Sequence, residues 1–482
     1  MELATAAVRD LAGAVHGAVL RAGDEGYDEA CRLWNAGAGG RRPLVVVRCA
    51  DAADVATAIR YAARHELELS VRSTGHNVTG RAVSDGGVTV DLSGLRDVRV
   101  DPGRRLASVQ PGVLWGELDA RTQEAGLATT GGRISTTGVA GLTLGGGFGW
   151  LMRRHGLAAD NLLAADVVTA DGTGMRAAED CEPGLFWALR GGGGNFGVVT
   201  SLEFRLHPVG PVVTGGAVFY AAEQAARVLR WYRDFLAGAP DDLSVQCNLL
   251  RLPPAPFVPP ELRGRPAVAL AVCHLGTVER AGRDLAALRE LGEPLLRRLG
   301  PMRYTSLQRL YDMAGRFGSF VYGRSGYLPE LTDAAVDALT APGCAVPGAG
   351  SIVMISPLGG AVARVGELDT AVGHRGAAVS CSVDAVWQRP GAAAAHVAWA
   401  DRVWAGLRPH CSGAYVNELG DEGPERVREA YHPVAWQRLR VLKTHYDPGN
   451  VFRLNQNIPP AAGNAGSRTV SPPAGDAGSR KP

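Results

Sequence analysis

Between Ala128 and Trp150 the chain reads ATTGGRISTTGVAGLTLGGGFGW, and this stretch limits the possible folds more than any other. Ten of its residues are glycine or alanine and five are threonine, so its side chains are mostly too small to hold a ligand away from the main chain. Consecutive N–H groups without flanking bulk form a concave nest for phosphate or a flat ring. An isolated glycine run is as readily a loop with no ligand. Here further glycine-bearing loops, at Gly75 and at Gly191 to Gly194, lie on either side of it.

At 482 residues the chain is long enough for two or three packed units. Hydrophobic residues at 46% and charged residues at 20% suit an ordinary globular protein, and a formal charge of +2 gives no electrostatic case for nucleic acid or a membrane surface. The eight cysteines are scattered with no Cys-x-x-Cys pair, so reduced thiols are expected rather than a metal site or disulfide scaffold. The N-terminus lacks the basic start and unbroken apolar core of a secretory signal. Its pattern of Leu3, Val8, Leu11, Val15 and Val19 predicts one amphipathic helix. A cytoplasmic protein is expected.

In chain order, Leu44–Val47 reads as a buried strand, and a helix follows that Asp51 or Asp54 can cap. Leu67–Val71 is a second strand, emptying into Arg72-Ser73-Thr74-Gly75-His76. Short alternating strands, a helix from Trp115 to Glu124 and the glycine-rich centre come next. From Gly210 longer strands (212–220, 267–274, 351–355, 377–385) alternate with helices (222–236, 277–291), which predicts an antiparallel sheet with helices on one face. A helix spans Pro433 to Thr444. The last residues are almost free of large apolar side chains and are expected to be disordered. The fold class is α+β.

Gly192, Gly194 and Gly197 satisfy G-x-G-x-x-G, yet a helix precedes the match and a strand follows it, the reverse of a dinucleotide fingerprint. No glycine run is followed by Lys-Ser or Lys-Thr, which removes a Walker loop.

Five segments carry a resemblance: Val71-Arg72-Ser73-Thr74-Gly75-His76-Asn77, Gly132 to Trp150, Asp160-Asn161-Leu162-Leu163, Arg190 to Gly197, and Tyr446 to Pro459. In order and spacing they resemble the bacterial berberine bridge enzyme-like oxidases, FAD enzymes of the vanillyl-alcohol oxidase / p-cresol methylhydroxylase superfamily. The resemblance implies an N-terminal helical segment (1–39), a two-lobed FAD-binding domain (40–209), a substrate domain (210–412) whose antiparallel sheet roofs the flavin, a C-terminal segment (413–459) returning to the FAD domain, and a tail (460–482). It implies covalent attachment of FAD through His76, and further cofactor contacts from Arg72, Ser73, Thr74, Gly75, Asn77 and Gly80. The same role falls to Gly132, Thr137, Gly138, Gly141, Gly145, Gly146, Gly147, Phe148 and Gly149, to Asn161, to Gly194, Gly197 and Val198, and to Asn455 and Asn457. Many relatives carry a second, cysteinyl link; Ile134 stands at that position here, which leaves single attachment. Thr137 falls near the flavin edge where oxygen reacts, and Thr74 replaces a glycine.

The family places its base in Tyr-x-Asn-Tyr, and this chain has Tyr415-Val416-Asn417-Glu418, so Tyr415 and Glu418 are both candidates. A carboxylate in an apolar cleft has its pKa raised towards neutrality, which suits a general base. Alternation along AVSCSVDAVW puts Ser380, Ser382 and Asp384 on one strand face, and the family pattern turns that face to the substrate. Tyr304, Tyr311, Tyr322 and Tyr327 either line the pocket or pack in the core, and His374-Arg375 is read as structural. The expected activity is an oxidase that takes hydride from an alcohol or other activated C–H of a sugar or secondary metabolite, with dioxygen as acceptor and hydrogen peroxide as product. Alternatives are a flavin-loaded binding or resistance protein, a cyclase with a structural flavin, or a dehydrogenase passing electrons to a protein or quinone.

Overall fold

The computed structural model describes residues 2–461, and side chains from residue 8 onward. The Leu3 side chain and the expected disordered tail therefore lie outside what is described, apart from Pro460 and Ala461. The N-terminal helix ends at Ala14, earlier than its apolar spacing predicts. Gly17 then passes so close to the Arg48 carbonyl that a Cβ would lie 2.0 Å from it, and Val19 sits on a strand, β1 (Ala18–Leu20). Strand pairing has overridden helical periodicity here.

β1 joins β2 (Val45–Arg48), β3 (Leu69–Arg72) and β4 (Val88–Asp91) in a four-stranded sheet of order β1-β2-β4-β3, in which β2, β4 and β3 run parallel. The crossover helix Ala52–Arg64 is capped by Asp51, whose side chain accepts from the Asp54 N–H. Asp54 instead accepts the backbone N–H groups of His16, Gly17 and Ala50. A second sheet contains β5 (Val98–Asp101) and β6 (Leu106–Val109) and, after the short β7 (Leu127–Ala128), β8 (Leu162–Val168), β9 (Gly174–Ala178) and β10 (Val198–Arg205). Its order is β5-β6-β10-β8-β9, and β11 (His207–Pro208) pairs with β7.

The third sheet has seven antiparallel strands: β12 (Val212–Ala221), β13 (Leu243–Arg251), β14 (Pro266–His274), β15 (Leu296–Arg303), β16 (Phe320–Leu328), β17 (Ile352–Pro357) and β18 (Val379–Trp387), in the order β15-β12-β14-β13-β17-β18-β16. One face packs against helices 225–237, 278–284, 333–344 and 393–407 through Val228, Leu229, Ala281, Leu339, Trp399 and Val403. Val379, Cys381 and Val383 of β18 join this core, so Ser380, Ser382 and Asp384 point the other way. Truncating a core residue such as Leu229 to alanine costs ~2–5 kcal/mol. The expected single helix over 277–291 breaks after Asp284 into a 3-10 segment, Ala286–Leu291, while Thr277 caps its start as expected. All eight cysteines are unpaired, and Cys181 is exposed. No helix among the described residues is long and apolar enough to cross a membrane.

Candidate active site

A cleft of about 270 Å³ runs between the first two sheets and is lined by glycines, alanines and short hydroxyl side chains together with apolar residues such as Leu69, Leu92 and Phe452. Most of its walls come from four stretches of chain. The end of β3 supplies Ser73 to Asn77, where Gly75 adopts a left-handed φ of +77° that lets the loop turn into the cleft. The glycine-rich centre supplies Thr137, Gly138, Ala140 and Gly141; at Gly138 a Cβ would meet Thr74 Oγ1 at 2.6 Å, so the two loops touch only because that residue is glycine. The Gly193–Val199 loop and the C-terminal segment (Val416, Asn417, Phe452, Leu454, Asn455, Gln456) complete the wall.

A Cβ at Gly141 or Gly194 would meet nothing within 4 Å, so these glycines leave room for a ligand rather than for neighbouring protein. Asn455 lines the cleft with a buried Oδ1 that has no partner. Backbone nests, vacant space above glycine and an orphaned amide oxygen fit a large phosphate-bearing cofactor with a polar chain.

His76 lines the cleft, half-buried, with Trp34 stacked on its ring at 5.3 Å and Phe317 edge-on at 6.1 Å. Burial pushes its pKa down to about 4, so the imidazole is neutral at cellular pH. Its Nε2 lies 3.1 Å from Thr136 Oγ1. A neutral ring nitrogen is nucleophilic.

Several residues expected at the cofactor lie outside the cleft lining. Arg72 turns into its own sheet, where Nη1 is 3.0 Å from Asp91 Oδ1. Gly80 and Gly132 abut Ala38 and Leu142. Gly145 to Gly149 serve close packing: a Cβ on Gly145 would strike Asn417 at 2.0 Å and one on Gly149 the Gly131 carbonyl at 1.8 Å. Gly146 faces Val372 and Gly147 faces Ala158, while Phe148 stacks on Tyr415 at 4.0 Å. Asn161 donates to the His155 and Leu157 carbonyls, and Asn457 keeps a buried, unpartnered Oδ1 away from the lining.

Asn195 falls within the Arg190 to Gly197 motif, where the sequence assigns it no role, and nothing local singles out Lys443. Asn195 donates to the Gly192 and Gln456 carbonyls and accepts from the Ile458 N–H. The fully buried Lys443 ammonium donates to the carbonyls of Asn195 (2.8 Å) and Phe452 (3.0 Å) and to Asp447 (2.7 Å). These two side chains tie the C-terminal segment to the Gly193 loop. A lysine in the last turn of a helix, four residues before the aspartate that ends it, was the available signal.

At the other edge, next to Val416 and Asn417, the turn Tyr415–Glu418 meets the third sheet. Tyr415 Oη accepts from the Gly147 N–H and from Asn417 Nδ2, both at 2.9 Å. Burial, then the charge of Glu418, pushes its phenol up to about 12. Glu418 is pushed up to about 7, first by burial and then by Asp384, against the pull of Arg133. Its Oε1 lies 3.7 Å from the Arg133 guanidinium, and its Oε2 is buried with no partner. Ser382 Oγ donates to Asp384 Oδ2 at 2.6 Å, and Asp384 is itself raised by burial. The structure thus brings Glu418, Asp384 and Ser382 together, adds Arg133, and commits the Tyr415 hydroxyl to the glycine loop.

Of the four tyrosines, Tyr304 and Tyr311 are buried on the cleft side of the sheet. Tyr311 Oη donates to Gln246 Oε1 (2.7 Å) and accepts from Asn248 Nδ2 (2.8 Å). Tyr322 donates to Asp401 on the outer side, and Tyr327 stacks on His374 at 5.0 Å. Arg375 makes a buried bidentate pair with Asp160.

Residues 43–178 match the family described as "FAD binding domain", and residues 414–459 match "Berberine and berberine like". The chain is 32% identical to (R)-6-hydroxynicotine oxidase of Paenarthrobacter nicotinovorans, over 92% of this chain and 97% of that protein. The crystal structure of 6-hydroxy-D-nicotine oxidase from Arthrobacter nicotinovorans superposes with a TM-score of 0.82 at 30% identity, covering 92% of this chain and 98% of the other. BBE-like #28 from Arabidopsis thaliana gives 0.80 at 26%, with the same coverage of both chains. Fold and cleft define an FAD-linked oxidoreductase. The chain belongs to the berberine bridge enzyme-like FAD-linked oxidases, with FAD as its cofactor.

Proposed function

We propose that the protein oxidises an activated C–H bond of a small molecule, an alcohol, amine or related secondary metabolite, with Glu418 as the base and FAD attached through His76. The observation that carries this is Glu418 itself: a largely buried carboxylate with one free oxygen, poised near neutrality, directly following Val416 and Asn417 of the cleft wall. The chemistry the cofactor supplies when bound is two-electron acceptance at N5, with reoxidation by dioxygen to hydrogen peroxide.

The chain's own residues do the rest. Glu418 takes the substrate O–H or N–H proton at its free oxygen. Burial, and then the neighbouring Asp384 held by Ser382, raise Glu418 and keep it from being a permanently ionised, weak base. Tyr415 is a poor acceptor of protons, since its hydroxyl is pushed up and already bonded to the loop; its part is to hold the glycine turn in register. Candidate cofactor contacts are Ser73 to Asn77, Thr137, Gly138, Gly141, Gly194, Gly197, Val198 and Asn455, all of which line the cleft.

The test is an anaerobic screen in which oxidised holoenzyme is mixed with alcohols and amines, headed by (R)-6-hydroxynicotine because a relative is named for it. Bleaching of the flavin absorbance by a panel member, followed by peroxide on admission of air, supports the reading. Spectral shifts without bleaching would favour a sequestering protein, and reduction without reoxidation by air a dehydrogenase.

A further inference from the structure

The glycine-rich loop carries one long charged side chain towards the third sheet, and the activity described so far does not use it. Arg133 follows Gly132, and its side chain is only 10% exposed. One guanidinium nitrogen donates to Ser356 Oγ, at the end of β17, and another lies 3.7 Å from Glu418 Oε1. Ser356 is itself buried and is paired across the sheet with Ser380 of β18. The guanidinium therefore bridges the substrate-domain sheet and the C-terminal turn from a loop that belongs to neither.

We propose that Arg133 is a positioning residue for the base: pinned by Ser356, its guanidinium orients the Glu418 carboxyl and keeps it ionised beside Asp384. The proposal rests on the reading of Glu418 as the base and adds what sets its charge. The groups facing Glu418 are Asp384 and Cys381 from β18, Tyr327 from β16, Tyr415 from its own turn and Arg133. Among these Arg133 alone is a cation. Two carboxylates against one guanidinium leave the cluster short of one positive charge, so the pair accepts a proton more readily than an isolated ion pair would. Removing Arg133 leaves both carboxylates without their counter-charge in a largely buried site, and protonation then wins at a higher pH.

The experiment is infrared titration of the holoenzyme, following the carbonyl stretch of a protonated buried carboxylic acid and assigning the Glu418 band by its loss in Glu418→Gln. In Arg133→Gln the midpoint of that band is expected to move up by at least about one pH unit, a tenfold change in the ionised fraction below the midpoint. Arg133→Lys, which keeps the charge, is expected to restore most of the wild-type midpoint. Ser356→Ala, which frees the pin without removing the cation, is expected to move it in the same direction by less. A midpoint in Arg133→Gln equal to wild type overturns the proposal. Should that variant not accumulate with flavin bound, a Ser356→Ala midpoint unchanged from wild type overturns it. The infrared midpoint needs no substrate, so a failure of Glu418 as proton acceptor, seen as unimpaired flavin reduction by Glu418→Gln, remains a separate result.

Discussion

Lys443 and Asp447 stand one helical turn apart with Nζ 2.7 Å from Oδ2, and neither side chain has any exposed surface. The pair is satisfied on all sides: the carboxylate also accepts the Val451 and Phe452 N–H groups, and the ammonium reaches two carbonyls of the cleft wall. Burial lowers the lysine, and Asp447 opposes that shift. Removing one partner of a buried pair costs ~3–5 kcal/mol, because the other is left buried and unpaired. Lys443→Met is therefore expected to lower the denaturation midpoint of the holoenzyme sharply. A midpoint equal to wild type would show that the C-terminal segment does not need this clamp.

Glu418 is pushed up to about 7 and must be ionised to accept a proton. The rate of anaerobic flavin reduction should thus rise with pH, reach half its limit near 7 and level off above it. Glu418→Gln is expected to lose ~10²–10⁴-fold in that rate and to lose the acidic limb. Stopped-flow reduction across a pH series checks both.

His155 and His207 stack at 3.9 Å, with His207 Nε2 2.6 Å from Asn161 Oδ1. Burial first, then neighbouring positive charge, holds His155 down to about 3 and His207 down to about 4. Below an unfolded pKa of ~6.5 the unfolded chain takes protons that the folded pair refuses. Their contribution to stability is present above that pH and is lost progressively as the pH falls through about 4 and about 3. Melting temperature should fall from pH 7 to pH 4, and His155→Phe should flatten the slope; equal slopes would sink the assignment.

Tyr311 bridges Gln246 and Asn248, leaving Gln246 Nε2 and Asn248 Oδ1 buried without partners. Tyr311→Phe removes the bridge and strands two more polar atoms, each costing ~1–3 kcal/mol. A loss of that order in chemical denaturation is expected, with the flavin spectrum retained.

Covalent attachment through His76 is checked by acid precipitation. Yellow colour should stay with the wild-type pellet and move to the supernatant in His76→Ala. Colour in the supernatant of both would leave FAD bound without the link.

The cleft was legible in the sequence because its chemistry is local: Arg72 to Asn77, Gly132 to Trp150 and Gly191 to Gly197 announce close backbone approach by their lack of side chains. The sequence distinguishes less well what a glycine is for. Gly141 opens onto the cleft and Gly149 presses on Gly131, yet both read alike until their neighbours are known. Four strands of the third sheet were expected from the sequence and β13, β15 and β16 were not. β15 is an edge strand that carries Arg297, Arg298 and Arg303, and β16 is interrupted by Gly323 and Gly326, so in both the neighbouring strands override local preference; β13 does alternate Leu243, Val245, Cys247 and Leu249 with Ser244, Gln246 and Asn248, a strand signal present in the sequence. Arg133 escaped notice because its meaning lies in Ser356 and Glu418, far along the chain.

The cleft's last wall, Val416 to Gln456, has a consequence for synthesis. Ser73, Gly138 and Gly194 leave the ribosome early, but the side that closes over them is translated after the whole third sheet. The groove lacks that wall until residue 456 has been made, so complete enclosure of the flavin waits on the C-terminal segment.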